Sequence, residues 1–272
     1  DAQRARPWAV KVLYRLPAFL KPKAQYPGYL MEFDAQGQYI ALVADVARLD
    51  GGPESVRDYL PQVTSAMRFL QTLRERTLVA GYMGTHPAPE RFHGILAPSI
   101  SHEGYSTPTH SYWDDFYGIK GWHDGAWLAD ALGDAETAAW AREQGRLLSD
   151  AVAASLRATI AWKGIDFIPS SADLGDSDPT SVSIALDPTG ARHVLPEREL
   201  RTTFDRYLAR QFGDRTAPDA LWAYTPYELR NVLTFVHLDQ PEAAWEMLSR
   251  MFEDRRPRPW HVWGEVVHSR LR

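Results

Sequence analysis

The chain of 272 residues contains no cysteine, which excludes disulfides, a thiolate nucleophile and any zinc site built on cysteine. It also lacks a long apolar run. The richest stretch, Tyr39 to Ala44, is soon broken by Asp45 and Arg48, far short of the roughly 18 residues that cross a bilayer. Lysine and arginine are not clustered and the net charge is −5, which argues against nucleic acid or anionic lipid as a partner, since both call for basic patches. There is no G-x-S-x-G elbow, P-loop or G-x-G-x-x-G, which removes the commonest serine-hydrolase, nucleotide and dinucleotide readings. A basic-then-apolar leader is missing too, and a first residue of Asp1 reads as a removed targeting segment or an excised piece of a longer protein.

What is present is ordinary for a globular chain, 44% hydrophobic and 24% charged, so disorder is excluded as the main state. The length suits a single large domain. Aromatic residues stand out, with ten Trp, twelve Tyr and ten Phe. Such rings fill cores and also stack on sugar rings, so their placement decides what they mean.

Hydrophobic periodicity predicts helices in pairs. Residues 36–49 are apolar on nearly every side, as in a helix buried all round, whereas 55–78 confines Val56, Leu60, Val63, Met67, Leu70 and Leu73 to one stripe. The alternation returns at 115–132, where Gly118, Gly121 and Gly125 allow close approach, followed by amphipathic 134–160. It returns again at 226–238 and 241–253. A short helix opening at Asp178-Pro179, an outer helix over 197–212 and a last inner helix starting near Gly264 complete the reading. Segments 79–113 and 163–196 read as long loops, which in compact helical domains are usually functional. No strand-period alternation persists, so the fold class is all-α. Unevenly spaced inner-helix starts argue against a solenoid and for a closed toroid of helical hairpins with inner and outer helices alternating, cut short at its C-terminal end.

In such a toroid the loops entering the inner helices line one pocket. The five entries are Glu32 to Gln38 (with Asp34 and Gln36), His110 to Tyr117, Asp176 to Ser181 (with Asp178), Trp222 to Glu228 (with Tyr227), and Trp260 to Glu265 (with Trp263). Each carries a carboxylate, and three carry tryptophan. A carboxylate at a helix N-terminus is explained by capping alone. Five of them interleaved with aromatics fit a carbohydrate subsite, where hydroxyls meet carboxylates and ring faces meet aromatic planes. Metal catalysis is disfavoured, because adjacent Asp114 and Asp115 diverge on a helix and no histidine is spaced to complete a site; no cofactor is expected. Of nine histidines only His110, beside the Trp-Asp-Asp run, is placed in the pocket. Trp122, Trp127, Trp140 and Trp245 read as core.

The stretches His110-Ser111-Tyr112-Trp113-Asp114-Asp115-Phe116-Tyr117, Leu174 to Ser181, Tyr224 to Glu228 and Trp260 to Val267 resemble the six-hairpin, (α/α)6-barrel glycosidases, a group including glucoamylase-like, trehalase-like and glucosidase-like enzymes. The Tyr112-Trp113-Asp114 element is similar to a substrate-binding stretch of the trehalase-like members. Many members are bacterial, exported and multidomain, which implies a secreted or periplasmic location rather than a cytoplasmic one. The resemblance implies an inverting glycoside hydrolase acting on an oligo- or polysaccharide, with two carboxyl groups set apart to admit water. On that basis Asp115 is assigned as acid and Glu265 as base, with Asp114 and Glu228 as substitutes for the acid. Trp113, Trp260, Trp263 and Tyr227 are assigned to stack on sugar, with Trp113, Phe116 and Tyr117 as an apolar wall raising the acid's pKa. Two other readings stay open. A polysaccharide lyase would need a basic cleft, for which Lys120 is the one suggestive residue, and a non-catalytic barrel would bind sugar or protein without turnover.

Overall fold

Asp34 opens the first helix at the end where a negative charge complements the helix dipole, and Arg48 closes it at the other. This helix, α1 (Asp34–Leu49), buries Tyr39, Ile40, Val43, Ala44 and Ala47. It ends where Gly51 and Gly52 adopt φ of 79° and 78°, a region that favours glycine. The computed structural model describes residues 32–101, 104–210, 222–255 and 262–269. A 3-10 turn, Pro53–Tyr59, leads into α2 (Leu60–Thr77), whose buried stripe of Val63, Met67, Leu70 and Leu73 follows the expected helical period. Then come α3 (Tyr112–Ala131), buried on almost all sides, and α4 (Ala135–Lys163). The side chain of Asp134 caps α4 by accepting the Thr137 N–H at 3.0 Å, and Gly164 at φ 64° terminates it.

Helices α1 and α3 lie parallel. Trp113 near the start of α3 bonds Asp34 at the start of α1, and Asp124 further along α3 meets Arg48 near the end of α1, at 2.7 and 2.5 Å. Glycine makes their approach possible. A Cβ placed on Gly37 would lie 2.0 Å from the Tyr117 carbonyl oxygen, and one on Gly121 would lie 2.9 Å from the Gly37 Cα. With α2 and α4 as amphipathic partners, the alternation of buried and surface helices holds through this half.

Ahead of α3 the two long loops are laid against each other. Ser99 pairs with Thr109 and Ser111 with Ser171 as isolated bridges. Arg91, buried, crosses between the loops. Its Nε donates to the Ala172 carbonyl at 2.8 Å, and its guanidinium sits 3.8 Å from the Trp162 ring centroid and 4.1 Å from that of Phe92.

The second half holds α5 (Pro179–Ser183), α6 (Glu197–Leu208), a 3-10 turn Pro226–Glu228, α7 (Leu229–His237) and α8 (Pro241–Glu253). Helix α5 packs on α3, α6 and α7, and α7 packs chiefly on α8. The chain is thus mostly helical, with eight α-helices among the described residues, none long and apolar enough to cross a membrane.

Three expectations are corrected. No helix starts near Gly264: residues 262–266 are irregular and lead into strand β2 (Val267–His268), which pairs antiparallel with β1 (Ala223–Tyr224). The β-branched Val266-Val267 pair favours this extended form. Helix α7 is not buried all round, since Leu233 and Val236 are exposed. Trp245 is 71% exposed rather than core, because α8 turns Ala244, Met247 and Met251 inward and leaves Trp245 on the other side.

The close approach at Gly37 makes a stability prediction. Gly37→Ala forces a methyl against backbone that cannot rotate away, an overpacking that costs about 2 kcal/mol. The melting temperature is expected to fall by roughly 4–8 °C; an unchanged value in thermal unfolding would mean that α1 and α3 do not touch there.

Candidate active site

The parallel arrangement gathers polar and aromatic groups at the N-terminal ends of α1, α3 and α7. The Trp113 indole Nε1 donates to Asp34 Oδ2 at 2.7 Å, and Gln38 Nε2 donates to the same oxygen at 2.6 Å. From α7 the Arg230 guanidinium lies 5.0 Å from the Trp113 ring centroid and 5.7 Å from that of Tyr227. Trp113 is buried, and Tyr227 is 57% exposed.

Asp114 is sealed beneath this end. Ser99 Oγ donates to its Oδ2 at 2.5 Å and Ser101 Oγ to its Oδ1 at 3.0 Å, and the residue is only 1% exposed. Loss of solvent, reinforced by the nearby negative charge of Asp34, pushes its pKa up to about 8, against the opposing effect of the serine hydroxyls. Asp115 is equally buried. Its Oδ1 accepts the Leu96 N–H at 2.9 Å, and Oδ2 has no hydrogen-bond partner. Burial raises its pKa well above the carboxylate range, against the Leu96 N–H, which favours the charged form.

Beside Tyr227 a cavity of about 400 Å³ opens at the start of α5 and the turn before α7. Its wall includes Asp178, Tyr207, Trp222 and Glu228, with Arg206 and Arg210. Glu228 Oε2 accepts the Tyr207 hydroxyl at 2.6 Å, and Glu228 closes a capping box with Thr225. Asp178 caps α5, accepting the Thr180 N–H at 3.0 Å and the Ser181 hydroxyl at 2.5 Å. Trp222 stacks on Tyr224 with centroids 5.9 Å apart, and Arg206 pairs with Asp166 at 2.6 Å.

The structure therefore divides the residues named from sequence. Asp178 and Glu228 come together in the cavity wall, while Tyr227, one residue before Glu228, does not line it. Asp115 and Asp114, the assigned acid and its substitute, are enclosed and line neither this cavity nor the groove past Tyr82, because the 96–101 segment folds over the first turn of α3. Glu265 is exposed in the irregular segment before β2 instead of heading an inner helix. Tyr112 turns into the core, bonding Ser155 at 2.8 Å and Thr159 at 2.9 Å on α4. His110 is buried between Asp173 at 2.9 Å and the Tyr82 hydroxyl at 2.8 Å, where it ties loops together. Lys120 binds Asp124 at 3.0 Å, part of the α1–α3 contact. Gln36 is buried in α1. Trp263 donates to the Met251 carbonyl at 2.8 Å and pins the C-terminal segment to α8. Trp113 has its N–H on Asp34 and a face under Arg230, so its apolar wall serves structure. Trp260 lies outside the described residues.

Tyr207, Arg206, Arg210 and Arg230 were missed. A helical stripe shows which side of α6 is buried but not which loop it will meet, and Arg230 carries no local signal at all. A wider groove, about 710 Å³, runs past Tyr82 between the end of α2 and α4, and no residue named from the sequence lines it. Among the described residues no three His, Asp or Glu side chains gather to hold a metal ion. Compared with known proteins, the chain matches no family model, no curated protein and no solved structure.

The raised pKa of Asp114 fixes the sign of a pH effect. Its carboxyl titrates near 8 in the folded chain and near 3.9 when unfolded, so between these values the folded state keeps a proton that the unfolded state has lost. Its contribution therefore weakens as pH rises from about 4 through 8. Asp114→Asn keeps a neutral donor and acceptor for the two serines. Urea midpoints are expected to show the variant gaining on wild type steadily across that window; parallel profiles would mean that Asp114 is ionised in the fold.

Proposed function

We propose that the chain is the carbohydrate-binding part of a glycoside hydrolase built on an (α/α)6 toroid, acting on an oligo- or polysaccharide by a two-carboxylate, inverting mechanism. The observation that carries this reading is the cavity beside α7, where two carboxylates, Asp178 and Glu228, share a wall with Tyr207 and Trp222. Carboxylates accept from sugar hydroxyls, aromatic faces cover the apolar side of the ring, and about 400 Å³ suits one or two sugar units. The parallel α1 and α3, with their N-terminal ends beside that of α7, support the toroidal arrangement.

In this reading Glu228 and Asp178 take the roles first given to Asp115 and Glu265. The Tyr207 hydroxyl donates to Glu228 and holds its carboxyl in the cavity wall, where a base that activates water would sit. The acid role falls to Asp178, the second carboxylate in the wall. Asp114 and Asp115, desolvated under the 96–101 segment, take no part in the chemistry.

One observation favours a second reading, a barrel that binds sugar without cleaving it. Asp178 and Glu228 both serve as helix caps, and capping alone accounts for their positions.

A panel of neutral and acidic oligosaccharides, followed for product by chromatography and for anomer by NMR, tests both. Wild type is expected to release a product of inverted configuration. Glu228→Gln is expected to lose at least about 100-fold in kcat while retaining sugar affinity, as loss of a general base does. Saturable binding with no turnover by wild type would instead establish the non-catalytic reading, and turnover unaffected by Glu228→Gln and Asp178→Asn would remove both residues from the chemistry.

A further inference from the structure

We propose that Tyr82, His110 and Asp173 form a second reactive site, where the Tyr82 hydroxyl accepts an acyl group from a neutral carboxylic ester bound in the groove between α2 and α4. The inference stands apart from the carbohydrate reading, since none of the three residues lines the cavity beside α7. They come from separate loops: Tyr82 from the turn after α2, His110 from just ahead of α3, and Asp173 from the segment after α4. Together they make an ordered chain. His110 Nδ1 meets Asp173 Oδ2 at 2.9 Å, and His110 Nε2 meets the Tyr82 hydroxyl at 2.8 Å.

Charge sets the direction of that chain. Loss of solvent works to raise the Asp173 pKa, but the bonds and charge of His110 and the charge of Arg91 together outweigh it. The carboxyl is held below its ordinary value and is an acceptor. The His110 backbone N–H donates to it at 2.6 Å, as does Nδ1–H, which leaves the Nε2 lone pair for the Tyr82 O–H. His110 is 2% exposed, and its ring lies 4.7 Å from that of Phe92. Burial first, and then the charge of Asp173, raise the pKa of Tyr82, with Arg76 acting against them, so the hydroxyl keeps its proton until a base takes it. Nucleophile, base and orienting carboxylate are the order that activates a hydroxyl group.

Tyr82 is half-buried and forms part of the groove wall. Met83 beside it has φ of 52°, a strained region for a residue with a side chain. The groove, about 710 Å³, is faced by Leu78, Val79 and Ala151, which suit an alkyl or aryl group, and by Glu90 and Asp150, which repel a phosphate dianion. Arg74 is in the same wall, its Nε donating to the Gly94 carbonyl at 3.1 Å, and brings positive charge for the oxyanion of an acyl transfer. In the transfer the Tyr82 oxygen bonds to the ester carbonyl carbon and the bond to the leaving alcohol breaks. His110 Nε2 takes the hydroxyl proton and passes it to that alcohol. Water then attacks the tyrosyl ester and gives a proton to His110, which returns it to Tyr82 as the carboxylic acid leaves. Asp173 is a positioning residue, fixing the imidazole tautomer and balancing its transient charge.

The experiment mixes the full chain with p-nitrophenyl butyrate in stopped flow and, separately, traps the nucleophile with phenylmethylsulfonyl fluoride for peptide mapping. Wild type is expected to release nitrophenol faster than the buffer does and to carry the sulfonyl group on Tyr82. Tyr82→Phe, which keeps the ring, is expected to lose both. Asp173→Asn, with its fold checked by near-ultraviolet circular dichroism, is expected to slow release by about 100-fold, within the range for general-base catalysis. Release by wild type is expected to fall on acidification as His110 takes up a proton, a dependence that a purely structural tie between loops would not give. Labelling of Tyr227, which is 57% exposed, as fast as Tyr82 would overturn the proposal, as would release undiminished in Tyr82→Phe. Undiminished release by folded Asp173→Asn would overturn the relay.

Discussion

The backbone of α1 meets the backbone of α3 at Gly37, and the polar cluster at their N-terminal ends depends on that approach. No side chain larger than hydrogen fits between Gly37 and the Tyr117 carbonyl. Because the helices are parallel and this close, Asp34 can reach the Trp113 indole, and Trp113 is held where Arg230 of α7 can cover it. Arg48 fastens the other end of the same contact through Asp124, which Lys120 also meets within α3. This end of the two helices is therefore built by a helix–helix contact first and by its loops second.

Burial then sorts the carboxylates into two kinds. Asp114 and Asp115 lie under the 96–101 segment, where removing water from a charge costs more than one or two hydrogen bonds return, and both prefer to keep a proton. Glu228 and Asp178 line the cavity and accept from hydroxyl and N–H donors. A sealed carboxyl shapes the fold. A carboxyl in a cavity wall can meet a substrate. The same residue type thus divides by environment, and the acidic Trp-Asp-Asp-Phe signature belongs to the first kind.

The helical half of the fold was legible because it rests on local pattern. The all-round apolarity of 36–49, the single stripe of α2 and the glycines of α3 each state how the helix must be covered, and α1 to α4 follow them. Asp178-Pro179 was readable as a cap for the same reason. The helix near Gly264 was not, because its apparent amphipathic pattern is short and pairing with Ala223-Tyr224 decides its form from far away in sequence. Site residues were hardest where function depends on long-range neighbours. Proximity to Trp113 made His110, Tyr112 and Asp115 attractive, yet each points from its turn of chain toward α4 or the loops rather than toward open space. Arg230 shows the reverse case, ordinary in sequence and noticed only once the rings of Trp113 and Tyr227 are seen beneath it.

The account centres on a sugar held in the cavity beside α7, and heteronuclear NMR of the ten tryptophan indole N–H groups tests that location directly. During titration with gluco-oligosaccharides, the Trp222 signal is predicted to shift and saturate, while that of buried Trp122 stays in place. Saturable shifts elsewhere with Trp222 unmoved, or no shifts at all, would contradict it.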